Sequence, residues 1–438
     1  MKAKTVYRTI QTAVTAVILM LSACEPEAVP VNGVSLDRTT VNMMVGESVT
    51  LKAVVAPANA TVKTVHWSGV PAGAATVKDH GDGRCTVTVE KEGSVTVLAA
   101  TADGGKAAGC RLSAAWPRIG NTAFIKAVDT QCGWTVEPDG TVKLTPENRA
   151  AMAAVAELLL AGKKLTDLSG IEYFTGLTAL NCSRNNLTSL DLSDCPALMT
   201  LDCRDNPLLT SLDMSGCPAL TTLNCSNNNL TSLDLSGCTS LTTLDLTFNP
   251  LLTSLDMSGC TAFEKLTIIL SSLTSLDLSD CTSLTVLSCP NNNLTSLDIS
   301  GCTSLTNLSC AMNKLTTLDV SGCLALTILR CYDNNLTELD VSGCTALTTL
   351  LCDGNQLTEL DVSGCMALSR FVCSRNRLTI LDITQNTNLR DLSCGNQTSD
   401  GSVTQNLELF LTTEQKTTWE STWVKESYNK NVTVKTAE

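Results

Sequence analysis

The chain has 438 residues, with 30 Lys+Arg against 43 Asp+Glu and only two His, giving a net charge of −13. An acidic chain repels phosphate backbones, so nucleic acid is not expected as a partner. The two neighbouring histidines, His66 and His80, exclude a histidine triad or a multi-histidine zinc site elsewhere. Aromatics are 3% of a chain that is 43% hydrophobic, so its cores must be built from Leu, Val, Ala and Cys. The length fits roughly two or three domains.

Lys2, Lys4 and Arg8 precede an apolar run over residues 13–21. That run is too short for a bilayer span of ~20 helical residues and reads as a signal peptide. It ends in Leu21-Ser22-Ala23-Cys24, which resembles a bacterial lipobox. The resemblance implies cleavage after residue 23 and lipidation of Cys24, so that a tether (24–30) anchors the chain to a membrane. Glu25-Pro26-Glu27 resembles the surface-export signal of some Gram-negative lipoproteins, which implies an outer-membrane, surface-exposed protein. Loss of the three leader cations takes the mature charge to −16.

Residues 31–114 alternate with period two in Val49-Leu51-Ala53-Val55, Cys85-Val87-Val89 and Val95-Val97-Ala99. Gly-, Pro- and Asp-rich turns separate these runs, predicting a β-sandwich with Trp67 as its one large core side chain. The pattern Val34-Ser35-Leu36-Asp37, Gly46-Glu47-Ser48-Val49 and Ala102-Asp103-Gly104-Gly105-Lys106 resembles bacterial Ig-like domains of group 2. Such modules act as spacers or adhesion units. Cys85 and Cys110 are open to either a bridge or two buried thiols, and His66 and His80 lack metal-ligand spacing.

Residues 115–179 read as a cap. Thr145-Pro146-Glu147 starts a helix that the formers from Ala150 to Leu160 extend as far as Gly162. Asp139-Gly140-Thr141 hints at a calcium loop, but Trp134-Thr135-Val136-Glu137-Pro138 lacks alternating oxygen ligands, so a metal-free turn is expected. Leu168-Ser169-Gly170-Ile171-Glu172-Tyr173-Phe174 resembles the run-in of leucine-rich repeat caps.

From Leu180 to Leu392 the chain repeats L-x-C-x-x-N-x-L-T-x-L-D-[LMIV]-S-[GD]-C-x-x-L-x-x, with units of 21 or 22 residues. The repeat resembles the cysteine-containing leucine-rich repeats of internalin-like bacterial surface proteins. Leu180 and Cys182, two apart, both point inward from a strand. Asn185 turns the chain, and its amide serves backbone groups of its own and the neighbouring coil; Ser271 breaks this column. Gly216, Gly237 and Gly259 supply a permissive turn before the second cysteine. At ~4.8 Å per coil, ten coils make a rod or arc ~50 Å long.

Two cysteine columns result, one starting at Cys182 and one at Cys195. Leu246 and Ile268 replace cysteine in the first, which favours thiols acting as small hydrophobes. Disulfides between coils and a metal column are the competing states. The recurring Asp of L-D-x-S, from Asp191 to Asp382, predicts a solvated acidic stripe, with a cation-binding edge as the sharper alternative.

The positions flanking L-x-C vary while the scaffold does not. The candidate ligand face, on the side expected to be concave, comprises Arg204, Asp245, Phe248, Ile269, Leu270, Arg330, Tyr332, Asp333, Leu351, Asp353, Val372 and Arg375. Phe248, Ile269 and Leu270 are apolar where solvated strands prefer polar residues, and Tyr332 beside Arg330 is a natural anchor pair. Residues 396–438 read as a second cap: a strand at Leu407-Glu408-Leu409-Phe410-Leu411, a helix carrying Trp419 and Trp423, and a closing strand near Val432. The fold expected is mainly β, an Ig-like sandwich followed by a leucine-rich repeat solenoid with a helical N-terminal cap and a small α/β C-terminal cap. The expected function is binding of a protein or glycan by a monomeric surface lipoprotein without cofactor. A structural spacer, or a carboxylate-dependent hydrolase, is the alternative.

Overall fold

A computed structural model describes residues 28–102, 105–397, 405–425 and 429–436. The leader, Cys24 and the acidic residues after it lie outside the described residues. The chain divides into two compact units, residues 1–118 and 119–438.

Two sheets of the first unit are built, among the described residues, from β1 (Gly33–Leu36), β2 (Thr40–Met44), β3 (Ser48–Ala56), β4 (Val65–Val70), β5 (Ala75–Asp79), β6 (Arg84–Val89), β7 (Gly93–Thr101) and β8 (Ala107–Ala115). Both are four-stranded, ordered β1-β3-β6-β5 and β2-β8-β7-β4. Alternation sends Leu51, Cys85, Val87 and Val89 inward from one sheet and Val95, Val97, Cys110 and Leu112 from the other. Trp67 is only half-buried and packs at the margin of this core, because the small aliphatic residues already fill its centre. Cys85 and Cys110 are free thiols, and burial pushes Cys85 up to about 12. His66 is exposed on β4, and His80 lies in a loop with Nε2 2.9 Å from Thr86 Oγ1.

The second unit opens with two short helices. α1 (Thr122–Val128) is capped by Asn121, whose side chain accepts the Phe124 N–H. Its Phe124 meets Phe174 edge-on at 5.8 Å, and Trp134 meets the same ring at 6.0 Å. No repeat or long apolar period in the sequence marks this helix. α2 (Pro146–Ala153) starts where expected, on Thr145, but stops early. Glu157–Leu159 is instead a strand, pairing in parallel with Ala179–Asn181. Helix propensity loses here because Leu158 and Leu160 must alternate into the core to seat the first rung of the solenoid.

That strand begins a twelve-stranded parallel sheet ending at Asp391–Ser393. We number the coils by its strands, so that Leu180 is in coil 2 and Leu392 in coil 12. Registers such as Leu180↔Leu201 and Leu201↔Leu223 keep each Leu above the last. Leu180 and Cys182 are buried, as are Leu187, Leu190, Leu192, Cys195 and Leu198 of the same coil. Every described cysteine is buried and free. A second run of short strands, Ser189–Asp191 with Ser211–Asp213 and their successors, forms separate two-stranded sheets on another side of the coil.

Closely wound coils leave inward backbone groups that need partners. One asparagine per coil supplies them. Asn313 Nδ2 donates to Cys289 O of the preceding coil at 3.0 Å and to Cys310 O of its own at 2.9 Å, while its Oδ1 accepts Leu294 N–H at 3.0 Å. The same arrangement recurs at Asn334, Asn355 and Asn376. At Ser271 the column lapses, and its buried hydroxyl finds no partner.

The second cysteine column is more than apolar filler. Cys217 Sγ reaches Leu192 O at 3.4 Å, Cys302 reaches Leu278 O at 3.4 Å and Cys365 reaches Val341 O at 3.5 Å. In the final repeat Asn386 stands in the cysteine position and donates to Val362 O and Cys365 O at 2.9 Å each. Beyond it Gln415, from the C-terminal helix α3 (Thr413–Ser421), donates to Ile383 O and Asn386 O. These positions therefore select a donor, weak in the thiol and strong in the amide.

The end cap closes the remaining ladders in the same way. Gln397 takes the asparagine role for coil 12, donating to Cys373 O and Cys394 O. Asn429 accepts Cys394 N–H and donates to Leu392 O. Trp419 and Trp423 are buried, and Trp423 Nε1 donates to Arg390 O. Leu407–Leu411 and Val432–Thr436 extend the strand Ile380–Asp382, which belongs to the second run of strands and not to the main sheet. At the turn before the second cysteine, only Gly259 among Gly216, Gly237 and Gly259 has positive φ (76°). Gly216 is required by close approach, since a Cβ there would lie 1.7 Å from Ser193 O.

An alkylating reagent applied to the native chain is expected to leave all cysteines from Cys85 to Cys394 unlabelled, and to label all of them after unfolding in guanidinium. Intact mass spectrometry checks this; native labelling or pairs that need reduction would contradict the buried-thiol state.

Candidate ligand-binding face

The strands of the main sheet are three residues long, so each coil presents few outward positions. The candidate residues fall into three parallel rows. Asp245, Arg330, Leu351 and Val372 are the last residues of their strands and are half-buried. Arg204, Ile269, Tyr332 and Asp353 follow the inward cysteine or its replacement and are also half-buried. Phe248, Leu270, Asp333 and Arg375 lie one step further, all on left-handed backbone, with φ of 61°, 59°, 51° and 55°.

This third row is a ridge along the solenoid and contains a residue of every repeating coil. Arg184, Asp205, Asn227, Asn291, Met312 and Asn396 share its conformation, and Gly354 joins them with φ 67°. Left-handed backbone favours Gly, Asn and Asp and costs other residues about 1 kcal/mol. The signal was readable as the frequent Asn and Asp just before the ladder asparagine. Met312, 44% exposed two coils beyond Leu270 with Asn291 between, adds a third apolar residue to Phe248 at 50% and Leu270 at 47%, and nothing in the spacing singles it out.

At either end of the ridge, charges are committed to each other. Arg184 Nε lies 3.7 Å from Asp205 Oδ2, and Asn227 Nδ2 donates to Asp205 Oδ1 at 3.0 Å. Beside them Arg204 Nε is 3.5 Å from Asp202 Oδ2. At the other end Arg375 Nη2 lies 2.7 Å from Asp353 Oδ2 and 3.0 Å from Asp333 Oδ1, and both carboxylates push the guanidinium pKa further up. Asp333 and Arg375 are two coils apart. Their meeting requires Gly354 between them, because a Cβ there would sit 2.2 Å from Asp333 Oδ1. Asp245 is occupied locally, its Oδ1 accepting Thr247 N–H at 2.9 Å. Arg330 Nη1 has Asn307 Oδ1 at 3.3 Å.

The acidic stripe occupies the side of the second strands. Asp191 Oδ1 accepts both the N–H and the hydroxyl of Ser193, and Asp234 does the same with Ser236. These bonds hold the carboxyls of Asp191, Asp234, Asp277, Asp319, Asp340 and Asp361 below the usual 3.8. Open grooves run along this side; the one at Ser189, Asp191, Asp213 and Asp234 has a volume of about 650 Å³. No group of three or more His, Cys, Asp or Glu that could hold a metal ion occurs among the described residues. In the cap, Asp139 Oδ1 accepts the N–H and hydroxyl of Thr141. The thiols are held neutral by burial, Cys182 at about 12 and Cys260 at about 11, which removes them as nucleophiles at neutral pH.

Residues 30–111 match the family described as bacterial Ig-like domain (group 2), and residues 218–259 and 282–322 match the family described as leucine rich repeats (2 copies). The Ig-like virion protein of Serratia phage KSP90 is 41% identical over 87 residues, 19% of this chain and 32% of that protein. The chain thus spans about a third of the length of the curated relative it matches. Among solved structures, the functional domain of InlJ from Listeria monocytogenes, described as including a cysteine ladder, is similar at 32% identity. That similarity covers 62% of this chain and 71% of that one, with a TM-score of 0.43. YopM, a leucine-rich effector protein from Yersinia pestis, is similar at 25% identity over 58% of this chain and 74% of that one, with a TM-score of 0.45. The chain combines an Ig-like domain with leucine-rich repeats, folds that typically bind partners and do not catalyse reactions.

Gly354→Ala is expected to displace Asp333 from Arg375 and to strain a left-handed residue, costing about 1–3 kcal/mol in urea unfolding. An unchanged midpoint would mean that the three-coil ion pair and the glycine are unrelated.

Proposed function

We propose that this chain is a bacterial cell-surface protein whose solenoid recognises a protein partner through the variable rows beside the main sheet. The observation that carries the reading is the ridge itself. Phe248, Leu270 and Met312 expose large apolar side chains on left-handed backbone, where nearly all other coils place Asn, Asp, Gly or Arg. Neither the exposure nor the conformation helps folding, so their use is more readily explained by contact with a partner. Coils 5 and 6 also carry Leu246, Ile268 and Ser271 in place of ladder residues.

In this reading the leader is removed, Cys24 carries the lipid, and the Ig-like domain serves as a spacer between an outer membrane and the repeats. A protein partner suits the apolar ridge better than a glycan, which needs uncommitted hydrogen-bonding groups. Hydrolysis is the weaker reading, because the recurring carboxylates are tied into turns and the thiols are neutral. A spacer without ligand leaves the apolar ridge unexplained.

The test is a binding screen of the mature chain against surface proteins and glycans, followed by Phe248→Ala, Leu270→Asn and Tyr332→Ala. A protein hit weakened at least about tenfold by the ridge substitutions supports the proposal. A hit untouched by all three moves the site elsewhere, and the absence of any ligand favours the spacer. Fatty-acid labelling that disappears in Cys24→Ser, with protease shaving of intact cells, tests the anchor and its exposure.

A further inference from the structure

We propose that the outward face of coils 9 to 11 binds a partner polypeptide at a carboxylate lying next to an aliphatic side chain, with Arg330 as the anion receptor. The proposal rests on the recognition reading above and names the chemistry recognised at a second point on the same side of the solenoid.

Ile328 and Arg330 are two apart on one strand and share its outward face. Parallel pairing sets Leu351 directly across from Arg330, and Val372 directly across from Leu351. Ile328, Leu351 and Val372 are half-buried and put one apolar side chain on the outward face of each of coils 9 to 11, the other outward positions being Arg330, Thr349 and Arg370. On coils 3 to 5 the same two outward positions are polar: Thr200 and Asp202, Thr222 and Asn224, Thr243 and Asp245. One apolar outward residue on each of coils 9 to 11, against none on coils 3 to 5, is a local departure from the repeat and not a consequence of it.

Arg330 is also chemically uncommitted. Among the described residues its guanidinium makes one hydrogen bond, to Asn307 Oδ1 at 3.3 Å, which leaves most of its five N–H donors unused there. No carboxylate lies within ion-pair distance of it among the described residues. Arg184, Arg204, Arg370 and Arg375 each meet an aspartate. The carboxylates in the loops of coils 9 and 10, Asp333 and Asp353, are both held by Arg375. Arg330 is half-buried on a strand next to that of Leu351 and has no anion, and the missing charge is one a partner can supply.

The shape of the surface narrows the partner further. The face is a sheet and not a cavity, so a small free anion would gain only one contact. A polypeptide can place a carboxylate on the planar fork of Arg330 and an adjacent Leu, Ile, Val or Phe on these apolar side chains. Nucleic acid would bring anions as well, but a chain of net charge −13 repels a polyphosphate.

A phage-displayed random heptapeptide library selected on the immobilised full-length chain tests this. Enriched peptides are expected to carry Asp or Glu next to an aliphatic or Phe residue. The synthetic consensus peptide should bind at least about tenfold more weakly to Arg330→Gln. Arg330→Lys should restore binding only in part, and Leu351→Asn should weaken it severalfold. Circular dichroism and urea midpoints like those of the parent confirm that each variant is folded. Enriched peptides without a carboxylate, or a Kd indifferent to Arg330→Gln, overturn the proposal. Peptides that depend on Phe248 and not on Arg330 overturn it while leaving the recognition reading intact. A library that yields nothing overturns it too, since the broader reading is judged by its own protein screen.

Discussion

A stacked coil brings backbone carbonyls into a space that water cannot enter, and the architecture depends on answering each of them. In this solenoid the answer comes from a carboxamide in every repeating coil but the one with Ser271, and at Asn313 it bonds a carbonyl of its own turn, a carbonyl of the turn before and an amide N–H of the turn before. Hydrophobic burial of the leucines supplies most of the driving force, but it is indifferent to register. The asparagine is not. It joins coil to coil with a fixed offset, and so turns a generic apolar stack into one with a single pitch.

The cysteines divide under the same logic. In the first column Leu246 and Ile268 replace them freely, so packing is what the position asks for. In the second column the substitute is Asn386, and the continuation is Gln415, so the position asks for a donor toward the preceding coil. Gln397, Gln415 and Asn429 then end three separate ladders, each using both the donor and the acceptor of one carboxamide. The C-terminal cap is therefore defined by its amides as much as by its buried tryptophans.

Much of this was legible in the sequence because the repeat samples each position many times. Inward Leu, Cys and Asn were readable from spacing, as were the Ig-like alternation and the helix start at Thr145. What was not legible depended on neighbours far along the chain. Residues 157–159 look helical alone and become a strand because Ala179–Asn181 offers an edge. The short helix α1 gave a cap at Asn121 and an apolar triad, signals too local to stand out. Spacing alone shows one candidate surface, whereas the left-handed turn before each ladder position lifts Phe248, Leu270 and Arg375 onto a separate ridge. The Asp333–Gly354–Arg375 arrangement spans three coils, and no single repeat contains it.

The most direct test replaces a ladder amide with an apolar group of similar size. Asn313→Leu adds hydrophobic area but leaves Cys289 O, Cys310 O and Leu294 N–H buried without their partner. Urea unfolding should show a loss of about 3 kcal/mol or more, with faster amide exchange centred on coils 7 and 8. Stability equal to or above that of the parent chain would mean that apolar packing alone sets the stack, and would contradict the account.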